Sequence, residues 1–115
     1  MRYLLIHCPA DQIPDHAALP PDVTAALDDW IEETTSQGIT LDGARLEPAA
    51  QARCVRVRDG AVLISDGPFA ETKEQVAGYD VIECADLRQA VEVASRHPTA
   101  RLGAIEIRPM AGGTD

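Results

Sequence analysis

The chain contains very few aromatic residues. Four of its 115 residues are Tyr, Trp or Phe: Tyr3, Trp30, Phe69 and Tyr79. Such a sequence lacks the aromatic platform on which proteins stack single-stranded bases. Its core must instead consist of Val, Ile, Leu and Ala side chains, and its length fits one domain that needs no disulfide or metal to fold.

Basic residues are also scarce. Ten Lys and Arg stand against nineteen Asp and Glu, which leaves a formal net charge of −9. This charge repels phosphate groups, so the composition argues against direct binding to nucleic acid or to an anionic membrane surface. A cationic protein partner remains compatible with it.

Cysteines and long apolar runs are few. Three cysteines, an odd number without CxxC spacing, argue against a disulfide framework or a zinc knuckle and favour a reducing compartment. The apolar run from Tyr3 to Ile6 is too short for a signal sequence, and no run approaches the roughly 18 residues of a membrane span. His16 near Asp11 and Asp15 shows no metal-ligand spacing. We therefore predict a cytoplasmic protein without a metal ion or another cofactor.

Hydrophobic periodicity predicts strands that alternate with helices. The first helix begins near Pro21 and stops at Gly38, and the second begins at the N-cap Asp86, with Gln89 completing a variant capping box, and runs to Pro98. Strands are predicted over residues 3–8, 39–46, 53–58, 61–65, 78–84 and 103–108.

Asp59-Gly60 between two β-prone runs is the strongest local signal in the chain. This dipeptide is typical of a two-residue hairpin turn. Such a turn places Val57 opposite Val62 and Val55 opposite Ile64, so that apolar side chains meet on one face.

These elements predict an α+β, ferredoxin-like split βαβ fold with an inserted β-hairpin. The antiparallel sheet carries both helices on one face. Because its other face is left bare, we expect a homodimer that pairs two such faces. The domain is predicted over residues 1–110, with a frayed tail at 111–115.

A longer stretch carries a family resemblance. Residues 55–78, VRVRDGAVLISDGPFAETKEQVAG, together with residues 43–48 and 103–109, resemble the DGPF-motif branch of the YCII-related family. The resemblance implies a dimeric α/β barrel with a cleft between sheet and partner. The better-known branch carries a suspected acid–base pair, a His and an Asp before Pro, and one relative looks like a dehydrochlorinating enzyme. The corresponding positions in this chain hold Leu27 and His97, so this chain departs from the suspected acid–base pair at both positions.

His7 is the best-placed proton carrier. It shares a strand face with Tyr3 and Leu5, predicted to be the open, cleft-side face, whereas Cys8 points the other way. The alternative is a structural histidine at a strand end. Asp66, at a strand end before Gly-Pro, is predicted either to form an Asx-turn or to act as a general base with His7.

Other candidates are assigned to ligand binding. Tyr3 lies on the predicted cleft face, and Lys73 could orient an anionic group. Glu106 and Arg108 project from one strand face and could bind a ligand or pair with each other. His97 is predicted to lie in the last turn of the second helix, where a partial positive charge suits the helix dipole.

Two functions from different classes follow. In the first, the domain binds a small carboxylated or phenolic molecule in a dimer cleft, where His7 and Asp66 could perform lyase-like or isomerase-like acid–base chemistry. In the second, it is a non-catalytic regulatory module that works with an extracytoplasmic-function sigma factor.

Overall fold

The structure is a computed structural model that describes residues 1–9, 20–67 and 76–112. It contains six strands and three α-helices in these ranges, with a 3₁₀ turn at Ala49–Gln51. In chain order these are β1 (Arg2–Pro9), α1 (Pro21–Ser36), β2 (Thr40–Arg45), β3 (Arg53–Arg58), β4 (Ala61–Asp66), β5 (Gly78–Glu83), α2 (Leu87–Ser95), α3 (Pro98–Leu102) and β6 (Gly103–Pro109).

Four strands form one antiparallel sheet in the order β2-β5-β1-β6. The central strand β1 pairs with β5 and β6, so that Leu5 lies opposite Asp80 on one side and Ile107 on the other. This is the strand order of a ferredoxin-like split βαβ domain. The predicted α+β fold class is confirmed.

The helices begin and end largely where local chemistry dictates. Pro21 starts α1, and Gly38 just after it adopts φ +73°, the left-handed conformation that glycine tolerates. The Asp86 side chain accepts from the Gln89 backbone N–H at 2.9 Å. The Gln89 side chain accepts in return from the backbone N–H of Ala85, one residue before the N-cap, so the contact is a variant of the capping box. Within the described ranges, no helix has both the length and the hydropathy of a membrane span.

The second helix ends earlier than predicted. It stops at Ser95, and Pro98, expected to terminate it, instead opens the separate short helix α3. Proline is compatible with the first turn of a helix because its missing N–H would be unpaired there. His97 is consequently the N-cap of α3 rather than a residue of the last turn of α2.

The core lies between the sheet and the helices. Tyr3, Leu5 and His7 point into it and are 2%, 0% and 7% exposed. Trp30 of α1 donates its indole N–H to the Val93 carbonyl of α2 at 3.0 Å, which ties the two helices together over the sheet. The expectation that this face of β1 is the open one is therefore wrong. Alternation divides a strand into two faces but does not say which face the helices cover.

Strands β3 and β4 form a separate two-stranded sheet, the ribbon (residues 53–66). Val57 lies opposite Val62 and Val55 opposite Ile64, and Asp59 and Gly60 have φ +52° and +78°, as a type I′ turn requires. The hairpin prediction is confirmed. The four apolar residues of this face are 58–68% exposed, although they lie opposite one another in the ribbon.

Candidate acid–base site

The sheet brings a histidine and a carboxylate together in the core. His7 lies opposite Gly78, and Leu5 lies opposite Asp80, so His7 and Asp80 are diagonal neighbours on the same face of β1 and β5. His7 Nε2 lies 2.6 Å from Asp80 Oδ2, and both residues are buried. Because an ionised carboxylate only accepts, Nε2–H is the donor in this short, charge-assisted hydrogen bond.

This bond fixes the state of the other ring nitrogen. When neutral His7 carries its proton on Nε2, Nδ1 presents a bare lone pair. Among the described residues, Nδ1 of His7 is the buried side-chain polar atom that lacks a hydrogen-bond partner. An unpaired buried polar group costs about 1–3 kcal/mol, so each such exception in a native structure requires an explanation, and a catalytic or binding role is one. The lone pair is thus suited to accept a hydrogen bond from a bound molecule.

His97 covers the His7 ring. The two imidazoles stack with centroids 4.2 Å apart at 21°, and the Trp30 ring meets His97 edge-on at 4.7 Å. His97 Nδ1 accepts from the Thr99 backbone N–H at 3.0 Å. Burial, with a smaller contribution from neighbouring His7, lowers the pKa of His97 to about 3. His97 is therefore neutral at physiological pH, and the predicted dipole role of a partly charged residue is wrong because burial disfavours the charge.

Gly43 gives the Asp80 carboxylate its space. It lies directly opposite Asp80 in the β2–β5 pairing. A Cβ atom at position 43 would overlap Asp80 Oδ1 and would lie 3.0 Å from the Tyr79 carbonyl oxygen. Its φ is not in the left-handed region, so the glycine is needed for close approach rather than for an unusual backbone conformation.

The predicted partner carboxylate lies elsewhere. Asp66 ends β4 on the ribbon, its side chain is 91% exposed, and its ion-pair partner is Arg53 at 3.7 Å. The carboxylate that the structure brings to His7 is Asp80. Two signals in the sequence pointed to it: an acid at an inward position of an apolar strand, and Gly43 interrupting the neighbouring strand.

The predicted ligand-binding residues do not gather at His7. Tyr3 is a core residue whose hydroxyl donates to the Met1 sulfur at 3.6 Å. Arg108 and Glu106 pair with each other at 2.6 Å on exposed positions of β6, one of the two alternatives considered for them. Lys73 and His16 lie outside the described residues.

The same cluster offers three possible metal ligands. One atom each of His7, Asp80 and His97 lies within 4.8 Å of the others. An imidazole binds a metal ion in its own ring plane, and two nearly parallel, stacked planes do not meet at a common point nearby. As placed, the cluster suits proton transfer and hydrogen bonding rather than metal coordination.

The fold and the site define a ferredoxin-like α+β domain with a buried His–Asp pair. The chain belongs to the YCII family, since the family model for the YCII-related domain matches residues 1–111. It is 43% identical over 70 residues to the uncharacterized protein R00369 of Rhizobium meliloti (strain 1021), a match that covers 59% of this chain and 56% of that protein. The chain thus aligns with just over half of that relative's length.

A solved structure shares the fold. It is the 5-chloro-2-hydroxyhydroquinone dehydrochlorinase TftG from Burkholderia phenoliruptrix AC1100, in complex with 2,5-dihydroxybenzoquinone. The TM-score is 0.58, the identity is 12%, and the match covers 98% of this chain and 96% of the other. This likeness establishes the architecture.

Proposed function

We propose that the chain binds a small hydroxylated molecule at the His7–Asp80 pair and that His7 moves a proton to and from it. The observation that carries this proposal is the buried, unpartnered lone pair on His7 Nδ1. A phenolic or enolic hydroxyl is the simplest group that satisfies it, because such a group can donate a hydrogen bond and then its proton.

Each residue of the pair has a separate role. His7 Nδ1 accepts the proton of the bound hydroxyl, and the imidazolium that forms is stabilised by Asp80 across the 2.6 Å bond. The proton then returns from Nδ1 to the bound molecule, so His7 acts first as a base and afterwards as an acid. Asp80 keeps the tautomer fixed, because its carboxylate requires the hydrogen on Nε2.

The solved neighbour supports the choice of ligand class. A protein with this fold holds a hydroxylated quinone, a ring that carries the kind of group that His7 can bind. The dehydrochlorination of that neighbour is not transferred to this chain. The site also lies on the helix side of the sheet, so the proposal does not depend on the predicted dimer cleft. The homodimer and the sigma-factor alternative stay predictions.

The chromogenic acid 4-nitrophenol tests the proposal, because its spectrum distinguishes phenol from phenolate. Titrating the protein into 4-nitrophenol at pH 6 should raise the phenolate absorbance to saturation in the wild type. His7→Gln should abolish the change, and Asp66→Asn, on the exposed ribbon, should preserve it. An equal spectral change in His7→Gln, or no saturable change in the wild type, would overturn the proposal.

A further inference from the structure

The two faces of the ribbon differ in how the chain covers them. On one face Cys54, near the base of the ribbon, is 8% exposed. The other, the apolar ribbon face, consists of Val55, Val57, Val62 and Ile64, which are 58–68% exposed. Among the described elements, β3 and β4 pack extensively against each other and not against any other strand or helix. The apolar ribbon face is therefore uncovered by the described part of the chain.

This face is large enough to be an interaction surface. Its four residues expose on the order of 400 Å² of largely apolar surface, and the largest patch on a typical monomer, about 300–600 Å², is often functional. A two-stranded hairpin also needs packing against a further layer to be stable in water. A partner on this face would therefore stabilise the ribbon itself.

The ribbon differs in charge from the rest of the chain. Three Arg and two Asp give residues 53–66 a formal charge of +1, and since the whole chain carries −9, its other residues carry −10. A cationic segment is attracted to an acidic protein surface. The remainder of a second copy of this chain is such a surface, whereas phosphate groups of nucleic acid or of a membrane are repelled by the net charge. The charge distribution thus favours a second copy as the partner.

The main sheet offers a second apolar surface on the side that faces away from the helices. Leu4 of β1 lies opposite Val81 of β5 there, and Ile6 lies opposite Tyr79. Along β1, Leu4 and Ile6 alternate with Leu5, which is fully buried on the helix side, so they point the other way. These four half-buried residues form the open sheet face.

We propose that the chain forms a homodimer in which the apolar ribbon face of each copy packs on the open sheet face of the other. This arrangement differs from a dimer that pairs two sheet faces directly. Because the contact is made twice and covers a similar area on both copies, it buries on the order of 1,600 Å² in total, the size of a standard stable interface. A contact between the two ribbons would bury half of that, on the order of 800 Å², the upper limit of most crystal contacts. Releasing a ribbon from its partner leaves the core of either chain intact, and the proposal is independent of the proton-transfer site.

Sedimentation of two neighbouring variants tests which face of the ribbon is used. Ile64→Asp places a charge on the apolar ribbon face, and Leu63→Asp places the same charge one residue away on the opposite face, where Leu63 is 49% exposed. We expect Ile64→Asp to raise the dimer dissociation constant by about a hundredfold or more, because the change enters both copies of the contact. Leu63→Asp should change it much less. Equal effects of the two variants, or a wild type that is monomeric at micromolar concentration, would overturn the proposal.

Photo-cross-linking identifies the receiving surface without introducing a charge. The photoreactive apolar residue p-benzoylphenylalanine replaces Ile64, and ¹⁵N-labelled and unlabelled chains are mixed, so that mass spectrometry separates contacts between copies from contacts within one copy. We expect cross-links from the ribbon of one copy to the β1 or β5 peptides of the other. Cross-links between two ribbons, to a helix, or within single copies alone would show that the open sheet face does not receive the ribbon.

Discussion

Replacing Gly43 by alanine tests whether the strand pairing was shaped around the Asp80 carboxylate. The new Cβ atom would overlap Asp80 Oδ1 and lie 3.1 Å from its Cγ, with backbone on its other side. Either the carboxylate rotates away or β2 separates from β5. In the first case His7 Nε2–H loses its acceptor, and in the second the sheet loses an edge strand.

The expected magnitude combines three effects. Overpacking a filled site costs about 1–3 kcal/mol. A buried donor left without its partner costs about 1–3 kcal/mol more. Alanine offsets about 0.5–1 kcal/mol of this, because glycine is entropically unfavourable within a strand. The free energy of unfolding should therefore fall by about 1–5 kcal/mol, which lowers the melting temperature by on the order of 10 °C.

A double-mutant cycle with Asp80→Ala identifies the cause. When the carboxylate is absent, Gly43→Ala retains its close contact with the Tyr79 carbonyl oxygen but no longer meets Oδ1. Its cost should then drop below about 1 kcal/mol, which gives a coupling energy within the range of contacting residues. Urea unfolding of the four proteins measures it. A neutral or stabilising Gly43→Ala, or additive costs, would refute the reasoning.

Three further predictions concern other parts of the chain. The pKa of His97 is lowered from 6.5 to about 3, so the folded state resists protonation of this residue. As the pH drops below 6.5, the free energy of unfolding of the wild type should therefore fall relative to that of His97→Asn, by up to about 1.4 kcal/mol per pH unit. Urea unfolding of both proteins from pH 7 to 4 measures this difference, and parallel pH dependences would contradict the prediction. Gly60 has φ +78°, so Gly60→Val should lower the free energy of unfolding by about 1–2 kcal/mol and the melting temperature by several degrees, whereas Asp59→Asn should be nearly neutral. If both variants shift the melting temperature by the same small amount, the turn does not require a positive φ at Gly60. Sedimentation at micromolar concentration should give about twice the 12.3 kDa chain mass, and a monomer would exclude the homodimer.

The parts of the fold that depend on local chemistry were predictable. Asp59-Gly60 determined the hairpin turn and thereby the Val57–Val62 register, because that dipeptide tolerates positive φ at both positions. The cap at Asp86 followed from a side chain within reach of the next turn. The order of helices and strands then left few alternatives to a split βαβ sheet.

The site was harder to predict because its contacts are not local. His7 and Asp80 are separated by 73 residues, and no spacing rule joins them before the register of β1 and β5 is known. The buried face of β1 was assigned wrongly because both of its faces carry apolar residues. His97 next to a proline suggested a helix end, but the new helix α3 turned its ring into the core against Trp30.

The separation of the ribbon from the main sheet has a consequence for amide hydrogen exchange. Its strands pair with each other, whereas β1 is hydrogen-bonded on both edges, to β5 and β6. An isolated hairpin is marginally stable in water, so the ribbon can open without unfolding the domain. Its amides should exchange early through local opening, while those of β1, including Leu5, should exchange only when the whole domain unfolds. Exchange rates would thus divide this short chain into two cooperative units, with the proposed proton-transfer site in the slower one.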